Sequence, residues 1–589
     1  MYGANEGHPL TLLSALSWQW SPFWGTSFAR GRRHIQQAVA TLAKDWKGAR
    51  YVSFGLLLLL ITSLVVVGYY LNHPQAEIRP DTPSYLNVAQ HILANGNLVD
   101  PVRTPGYPLL IAAVFLLAGQ GNFAAVSMVQ GVLFVIATIE IYLVLCLIFR
   151  RAWLGLVAGL IIGIDTLLLS FIKPVLSEGL SLWIVASLAL AIILFIRTCR
   201  ASLLWLVAFL VLCALMTHAE WAFVPIPLFA YLLGIGAQRG RVLRLLPHAV
   251  LAILILYGCL GLFIYMNATQ HNYPGITYIQ RINLLGKVMQ YHMQNEAPAQ
   301  YADVTQKLNA YLAAGGEINP YTFATFYPAI TDNRWELAGN YASAIVDTHP
   351  VEFALHTIPV LLTSSNTYYL TSQIDPQGVF AAPLFGLEQI SGRVYFMYRF
   401  FPLFALFWFG LLLWQRSSRQ AQMMGALAFL GVYELVVVSV GGYGSFARLH
   451  TPFDPIMLAV IWGTLLLCIP PLFWSLRTIS WTKLLARLWP VIRLAWAIGI
   501  IGGGVLSVAA TVLLHGTARL ADPTQWTGPH WLFTHSAHAL ALVGAGGIFS
   551  LLAYAAYKAQ QAKQASAAPR KDQAAEEAPL PTLEGPISQ

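Results

Sequence analysis

Three charged residues stand out for the company they keep. Asp81 lies in the string RPDTPSY, Arg103 in RTPGYPLL and Arg448 in FARLHTPFDP, each beside prolines that stiffen the local backbone. A carboxylate within reach of a reacting hydroxyl can take its proton, and a guanidinium can make two parallel hydrogen bonds to a phosphate. Plainer uses exist for the same groups. Asp at a helix start accepts an exposed amide proton as an N-cap, and Arg near a helix end anchors among lipid headgroups. Five further residues could support chemistry at the same place. Tyr85 and Tyr107 belong to the first two strings, Glu178 opens an apolar run just after Lys173, Glu220 stands beside His218, and His450 follows Arg448 by two positions. For Glu178 the alternative is a salt bridge to Lys173; for His450 it is interfacial anchoring.

The elements that must position these residues are set by composition. Of 589 residues, 57% are hydrophobic and only 10% are charged, whereas soluble domains run about 25% charged. That excludes a soluble enzyme and predicts an all-α polytopic membrane protein. Apolar runs at about 52–71, 123–149, 152–172, 177–196, 201–216, 222–237, 246–266, 396–414, 421–440, 453–475, 493–514 and 533–557 predict twelve transmembrane helices. The five cysteines have neither the spacing of a zinc site nor an even number for a disulfide framework.

The net charge of +9 reflects topology rather than nucleic-acid binding. With the N-terminus cytoplasmic, the inside segments, both terminal ones included, hold 23 of the 34 Lys and Arg residues, among them Arg150, Arg151, Arg197, Arg200, Arg239, Arg241, Arg244, Arg416 and Arg419. Both termini are then expected in the cytoplasm. The first span is expected to stay as an anchor, since no cleavage pattern follows it. Five regions result: an interfacial N-terminal segment 1–50, which carries Trp18, Trp20 and Trp24; a transmembrane module 51–266 with an outer loop 72–122; an extracytoplasmic, mainly helical domain 267–392; a second transmembrane module 393–558; and a disordered tail 559–589 rich in Ala, Gln, Pro, Lys and Glu.

Chemistry is therefore expected in the two outer segments. In the first, Pro83 suits an opening helical turn, Tyr85, Val88, Ala89, Ile92 and Leu93 recur at helical spacing, and Asn95–Gly96 is a stop signal. In the second, Tyr278, Ile282, Leu285, Met289 and His292 share one face while Arg281, Lys287 and Gln290 lie off it, and further helices are expected around 301–312, 334–346 and 351–362. Asp100 reads as a turn residue. Asp165, Glu140 and Glu434 fall inside spans, where a charge implies a partner, and structural pairing is the expected role.

An acidic residue in the first outer loop, a Tyr-bearing surface helix and a basic-Pro-Gly-Tyr-Pro turn together resemble the membrane glycosyltransferases of the GT-C superfamily, nearest to the protein O-mannosyltransferase and aminoarabinose transferase branch. RPDTPSY and RTPGYPLL carry the resemblance, with LSEGLSLWIVASLAL and FARLHTPFDPIMLAV adding to it. It covers the N-terminal half and the layout best, and the outer domain only loosely.

The resemblance implies transfer of a sugar from a polyprenyl-phosphate donor to a glycan, lipid or protein acceptor at the outer membrane face, with inversion. On that reading Asp81 takes the acceptor proton and Arg103, with Arg448, binds the donor phosphate. Tyr85, Tyr107, Glu178, Glu220 and His450 are the supporting residues. No Asp-x-Asp pair occurs, so no divalent metal and no other cofactor is expected; the partners are membrane lipids and substrates, with no nucleic acid. Two other classes fit twelve spans. A secondary transporter would concentrate polar residues at the bilayer midplane, and a lipid-linked glycan polymerase or ligase would lack the early Asp81 string.

Overall fold

A computed structural model describes residues 27–364, 373–444 and 446–478. Trp18, Trp20 and Trp24, the predicted spans 493–514 and 533–557, the tail and both termini lie outside the described residues. The described chain is helical, with no strand among the described residues, and it is an all-α membrane protein.

The first helix, α1 (Ser27–Asn72), carries a long apolar stretch after Arg50; α2 (Thr82–Asn95) and α3 (Gly106–Ala118) follow. Then come α4 (Phe123–Phe149), α5 (Ala152–Gly163), α6 (Thr166–Ile172), α7 (Glu178–Thr198), α8 (Ala201–Leu215), α9 (Pro225–Gln238) and α10 (Val242–His271). An outer group contains α11 (Ile279–Gln290), α12 (Ala302–Ala313), α13 (Pro320–Phe326), α14 (Asp332–Thr348) and α15 (Pro350–Ser364). The chain continues through α16 (Ala381–Phe396), α17 (Phe401–Trp414), α18 (Arg419–Gly441), the short α19 (Phe446–His450) and α20 (Asp454–Thr478). Two compact units divide between Leu57 and Leu58. In the first, Val52, Leu56 and Leu57 are exposed, as suits helix in contact with lipid. All that follows concerns the second.

Among the described residues, seven helical stretches are long and apolar enough to cross a membrane, or eight if the pair α5 and α6, bent by 56°, is one broken span. Helix α4, with 27 residues, is about 40 Å long and exceeds the hydrocarbon core of about 30 Å. The expected spans 201–216 and 222–237 differ. They form α8 and α9, of 15 and 14 residues, each only about 21–23 Å long, because the turn at 216–224 takes residues that a full span would need.

Close helix approach depends on small residues, as in other membrane bundles. Along α5, Gly155, Gly159 and Gly163 form one face; a Cβ at Gly155 would lie 2.7 Å from Cys146 Sγ, and one at Gly159 would lie 2.6 Å from the Leu58 side chain. The break after α5 falls at Asp165, whose Oδ1 accepts from the backbone N–H groups of Leu167 and Leu168 and so caps α6. The other acids inside spans are handled differently. Glu140 accepts from Ser187 Oγ at 2.8 and 2.9 Å, while both carboxylate oxygens of the buried Glu434 lack a hydrogen-bond partner.

The outer group has a hydrophobic core of its own, built from Leu285, Val288, Met289, Met293, Leu308, Phe323, Ile330, Tyr341, Ile345 and Phe353. The periodicity around 301–312, 334–346 and 351–362 is met by α12, α14 and α15. Polar links then sort the loops to two ends of the bundle. At one end Arg239 reaches Cys199 Sγ and Gln422, Gln422 reaches the Arg416 carbonyl, and Arg241 reaches the Thr198 carbonyl. At the other, the loops bearing Asp81, Arg103, Glu178, His218 and Arg448 meet.

Candidate active site

Asp81 immediately precedes α2, yet it does not cap it. Its backbone is helical (φ −78°, ψ −23°), and its side chain accepts no amide proton from α2. Both carboxylate oxygens are instead taken by arginine: Oδ1 by Arg103 Nη2 at 2.8 Å and Oδ2 by Arg448 Nη2 at 2.7 Å. The capping alternative is thus replaced by an ion-paired carboxylate between two guanidinium groups.

Local sequence explains how each group is held. The strand of chain before α2 is pinned to the turn before α7, because Thr82 Oγ1 donates to the Val175 carbonyl and Val175 N–H donates to the Glu77 carbonyl, both at 3.0 Å. That turn ends at Glu178. Lys173, the alternative partner of Glu178, donates to the His73 carbonyl instead, and Glu178 Oε1 lies 3.0 Å from Arg448 Nε. Gln130 on α4 ties the same turn down by donating to the Ile172 and Pro174 carbonyls, while its Oε1 accepts from Tyr107 OH at 2.5 Å.

Arg103 is fixed from three sides. Asp100 Oδ1 accepts the N–H groups of Val102 and Arg103, the turn role expected of it. Arg103 Nε donates to Ser84 Oγ at 2.8 Å, Nη1 reaches Tyr85 OH at 3.3 Å, and the guanidinium carbon lies 4.3 Å from the centre of the Tyr85 ring. Tyr85 OH pairs with Ser177 Oγ at 3.0 Å, and its ring meets Tyr107 edge-on at 5.0 Å. The outer group reaches this loop as well: Thr277 Oγ1 donates to the Val102 carbonyl at 2.6 Å and Tyr278 N–H to the Pro101 carbonyl at 3.0 Å.

The Pro-Gly-Tyr-Pro turn docks on the end of α8. Gly106 N–H donates to the Met216 carbonyl at 2.6 Å, and Thr104 Oγ1 donates to the Thr217 carbonyl at 2.9 Å. Glycine is required there: a Cβ on residue 106 would fall 2.6 Å from both Met216 O and Thr217 Oγ1. This docking fastens the 216–224 turn, which bears His218 and Glu220, to the loop that bears Arg103.

The electrostatics favour a charged Asp81. Burial works against its ionisation, but Arg103 and Arg448 outweigh burial and hold its carboxyl below the usual range. Arg103 likewise keeps its proton more firmly: burial weakens it, and Tyr85 and Asp81 more than compensate. Glu220 is raised to about 7, first by burial and then by Glu178.

Of the residues singled out in the sequence, the structure brings Asp81, Arg103, Arg448, Glu178 and Tyr85 into direct contact. Tyr107 lies directly behind Tyr85. Glu220 is close, 3.3 Å from His218 Nδ1. His450 is part of a different cluster: its Nδ1 is 2.7 Å from Asp454 Oδ1, both residues deeply buried, and the partly buried Tyr395 donates its OH to Asp454 Oδ2 at 3.1 Å. Ser84, Ser177, His218 and Tyr321 were not singled out as site residues. Tyr321 comes from the outer group and is half exposed; partial desolvation and then the nearby Asp81 charge raise its hydroxyl pKa. Nothing in its local string marks it.

No family model and no curated protein sequence matches the chain. Its fold is similar to several solved membrane structures at low identity. One is the archaeal oligosaccharyltransferase AglB from Archaeoglobus fulgidus in complex with an inhibitory peptide and a dolichol-phosphate, 12% identical over 75% of this chain and 54% of that one, with a TM-score of 0.40. Another is the oligosaccharyltransferase of the same organism in the apo form, 14% identical over 74% of this chain and 54% of that one, TM-score 0.38. A third is ArnT from Cupriavidus metallidurans in the apo state, 15% identical over 72% of this chain and 78% of that one, TM-score 0.29. The chain spans about half the length of the oligosaccharyltransferases it matches.

Proposed function

We propose that the protein is an inverting GT-C-type glycosyltransferase that moves a sugar from a polyprenyl-phosphate donor to an acceptor hydroxyl at the outer face of the membrane. The observation that carries this reading is the single carboxylate of Asp81 held between Arg103 and Arg448. A donor phosphodiester has one negative charge, which competes with Asp81 for the two guanidinium groups. As the phosphate draws them toward itself, Asp81 loses the charges that depress its basicity and becomes a better proton acceptor.

The reaction then balances in one displacement. The acceptor oxygen forms a bond to the anomeric carbon while its proton passes to Asp81. The bond between that carbon and the phosphate oxygen breaks, and its electron pair stays on the departing polyprenyl phosphate, which gains a second negative charge. Arg103 and Arg448 stabilise that developing charge, the kind of preorganised electrostatics that supplies much of enzymatic rate enhancement. Glu178 positions Arg448 from behind, and Tyr85 positions Arg103. The arginines provide the positive charge, so the proposal involves no divalent metal or other cofactor. The acceptor is a glycan, a lipid or a protein.

The outer location rests on the charge tally. The loops bearing Arg239, Arg241 and Arg416 gather at the end opposite Asp81, which supports an extracytoplasmic site with cytoplasmic termini. The test is reconstitution of the full chain in lipid nanodiscs with defined polyprenyl-phosphate sugars and mass spectrometry of the products. A transferred sugar with inverted configuration supports the proposal. Retention of configuration, or no transfer from any such donor, overturns it.

A further inference from the structure

One imidazole near enough to Arg103 and Arg448 to feel their charges has no task in the mechanism above. His218 follows the two residues that receive Gly106 and Thr104, so its backbone is fastened to the loop that bears Arg103. Its Nδ1 lies 3.3 Å from Glu220 Oε1. Its Nε2 is buried and has no hydrogen-bond partner. The pair is rigidly seated: Tyr433 OH donates to the Glu220 carbonyl, and the next residue, Trp221, stacks on Phe453 at 5.4 Å.

A buried nitrogen without a partner is costly to the fold, and a ligand hydrogen bond can offset that cost. Its protonation state decides which ligand. Burial, and then the charges of Arg103 and Arg448, lower the His218 pKa to about 4, so the ring is neutral near neutrality. A neutral imidazole has one N–H, and a carboxylate beside Nδ1 selects the tautomer with the proton there. Nε2 is then a lone-pair acceptor, suited to a hydroxyl and not to a phosphate.

We propose that His218 binds the donor sugar, its Nε2 accepting a hydrogen bond from a sugar hydroxyl, with Glu220 as the positioning residue that fixes the tautomer. The inference rests on the reading of Arg103 as a ligand of the donor phosphate. A sugar joined to that phosphate through its anomeric oxygen has its ring hydroxyls within one ring width of Arg103, and the turn bearing His218 is bonded to the Arg103 loop. The proposal accounts for two features that the arginine site leaves unexplained: the orphaned Nε2 and the glycine needed to bring the turn in.

Nitrogen NMR of the histidine rings tests it on the full chain in nanodiscs, with His218 assigned by the resonance missing from His218→Gln. Spectra are taken at about pH 8.5, where Glu220 is ionised. The expected state is a neutral ring with the proton on Nδ1. Adding polyprenyl phosphate should leave the Nε2 resonance in place, whereas polyprenyl-phosphate hexoses should shift it, with occupancy followed separately by phosphorus NMR. Glu220→Ala, which takes the acceptor away from Nδ1, should release the proton from Nδ1 and reduce the shift. A ring protonated on Nε2 in the native protein, or an Nε2 resonance that stays put at saturating hexose lipid, overturns the proposal. If phosphorus NMR shows that neither lipid binds, the donor reading itself fails, and the tautomer still decides whether the dyad exists. In transfer assays His218→Gln should raise the donor KM about 10-fold, the scale of one lost neutral hydrogen bond, with less effect on kcat.

Discussion

Asp81 and Arg448, 367 positions apart in the chain, meet at 2.7 Å. The first belongs to the opening of α2 and the second to α19, so the site closes only when the two halves of the bundle pack together. The same guanidinium reaches Glu178 at the start of α7. Arg448 therefore links three separate elements, and its loss should disturb the site more than a surface charge does.

Asp81→Asn should abolish transfer while leaving the protein folded. The amide keeps the shape but cannot take a proton, and loss of a general base typically costs about 10²- to 10⁴-fold in rate. Donor affinity should hold or rise, since the phosphate no longer competes with a carboxylate for Arg103 and Arg448. Single-turnover rates and donor binding on the purified variant check this, and near-normal turnover would remove Asp81 from the role of base.

Stability of the native site should also depend on Asp81 ionisation. Its folded pKa is lowered, so its contribution is fully present above the ordinary carboxylate pKa of about 4 and is lost as pH falls through the depressed folded value. Acid unfolding of Asp81→Asn should accordingly have a shallower pH dependence in that range than the wild type.

Arg103→Lys should lower turnover although charge is kept. Arginine holds Asp81, Ser84 and Tyr85 at once and stacks on the Tyr85 ring, a planar fork that an ammonium cannot reproduce. Because the phosphate becomes more negative as it leaves, the loss should show in kcat at saturating donor and not only in KM. Full turnover of both Arg103→Lys and Arg103→Ala would make Arg103 an interfacial anchor.

Gly106→Ala should damage the site through packing alone. The added methyl meets Met216 O and Thr217 Oγ1 at 2.6 Å, so the turn must move away from α8, at a cost of about 1–3 kcal/mol typical of overpacking. The expected result is a lower thermal midpoint together with reduced transfer. Unchanged values for both would show that the turn has slack.

Lys287 on α11 is fully buried and its amine has no hydrogen-bond partner; it rests 4.4 Å from the Phe446 ring centre and 5.4 Å from that of Tyr291. Burial pushes its pKa down to about 7. Between about pH 7 and the ordinary lysine value near 10 the unfolded chain binds more protons, so stability should rise with pH across that window. Below it the cost of the buried charge is fully present. Lys287→Met should therefore raise the thermal midpoint at neutral pH, with the advantage shrinking as pH rises. Equal midpoints throughout would mean that the amine finds a partner.

Much of this protein is legible in one dimension because hydrophobic burial in a bilayer leaves a long-range mark on composition. Runs of about 20 apolar residues can only be helices when no water is present to satisfy backbone groups, and 3.6-residue periodicity outlined α12, α14 and α15. The Asp81 and Arg103 strings are visible for a related reason: both flank one helix in the outer segment 72–122, and prolines and a glycine shape the turns that present them. What the tertiary structure decided is everything that depends on which distant surface a side chain meets. Periodicity put Lys287 off the apolar face of α11, but the neighbouring Gly286 lets that helix close on Tyr443, burying a second face. Glu178 stands five positions from Lys173, yet pairs with Arg448. Asp81 opens a helix as an N-cap would, yet gives both oxygens to arginines, because two fixed guanidinium groups bind a carboxylate more strongly than neutral amides do. Local spacing names the groups available for chemistry; only the packing of the bundle determines which charges share a low-dielectric space, and there proximity, not sequence order, sets the energy.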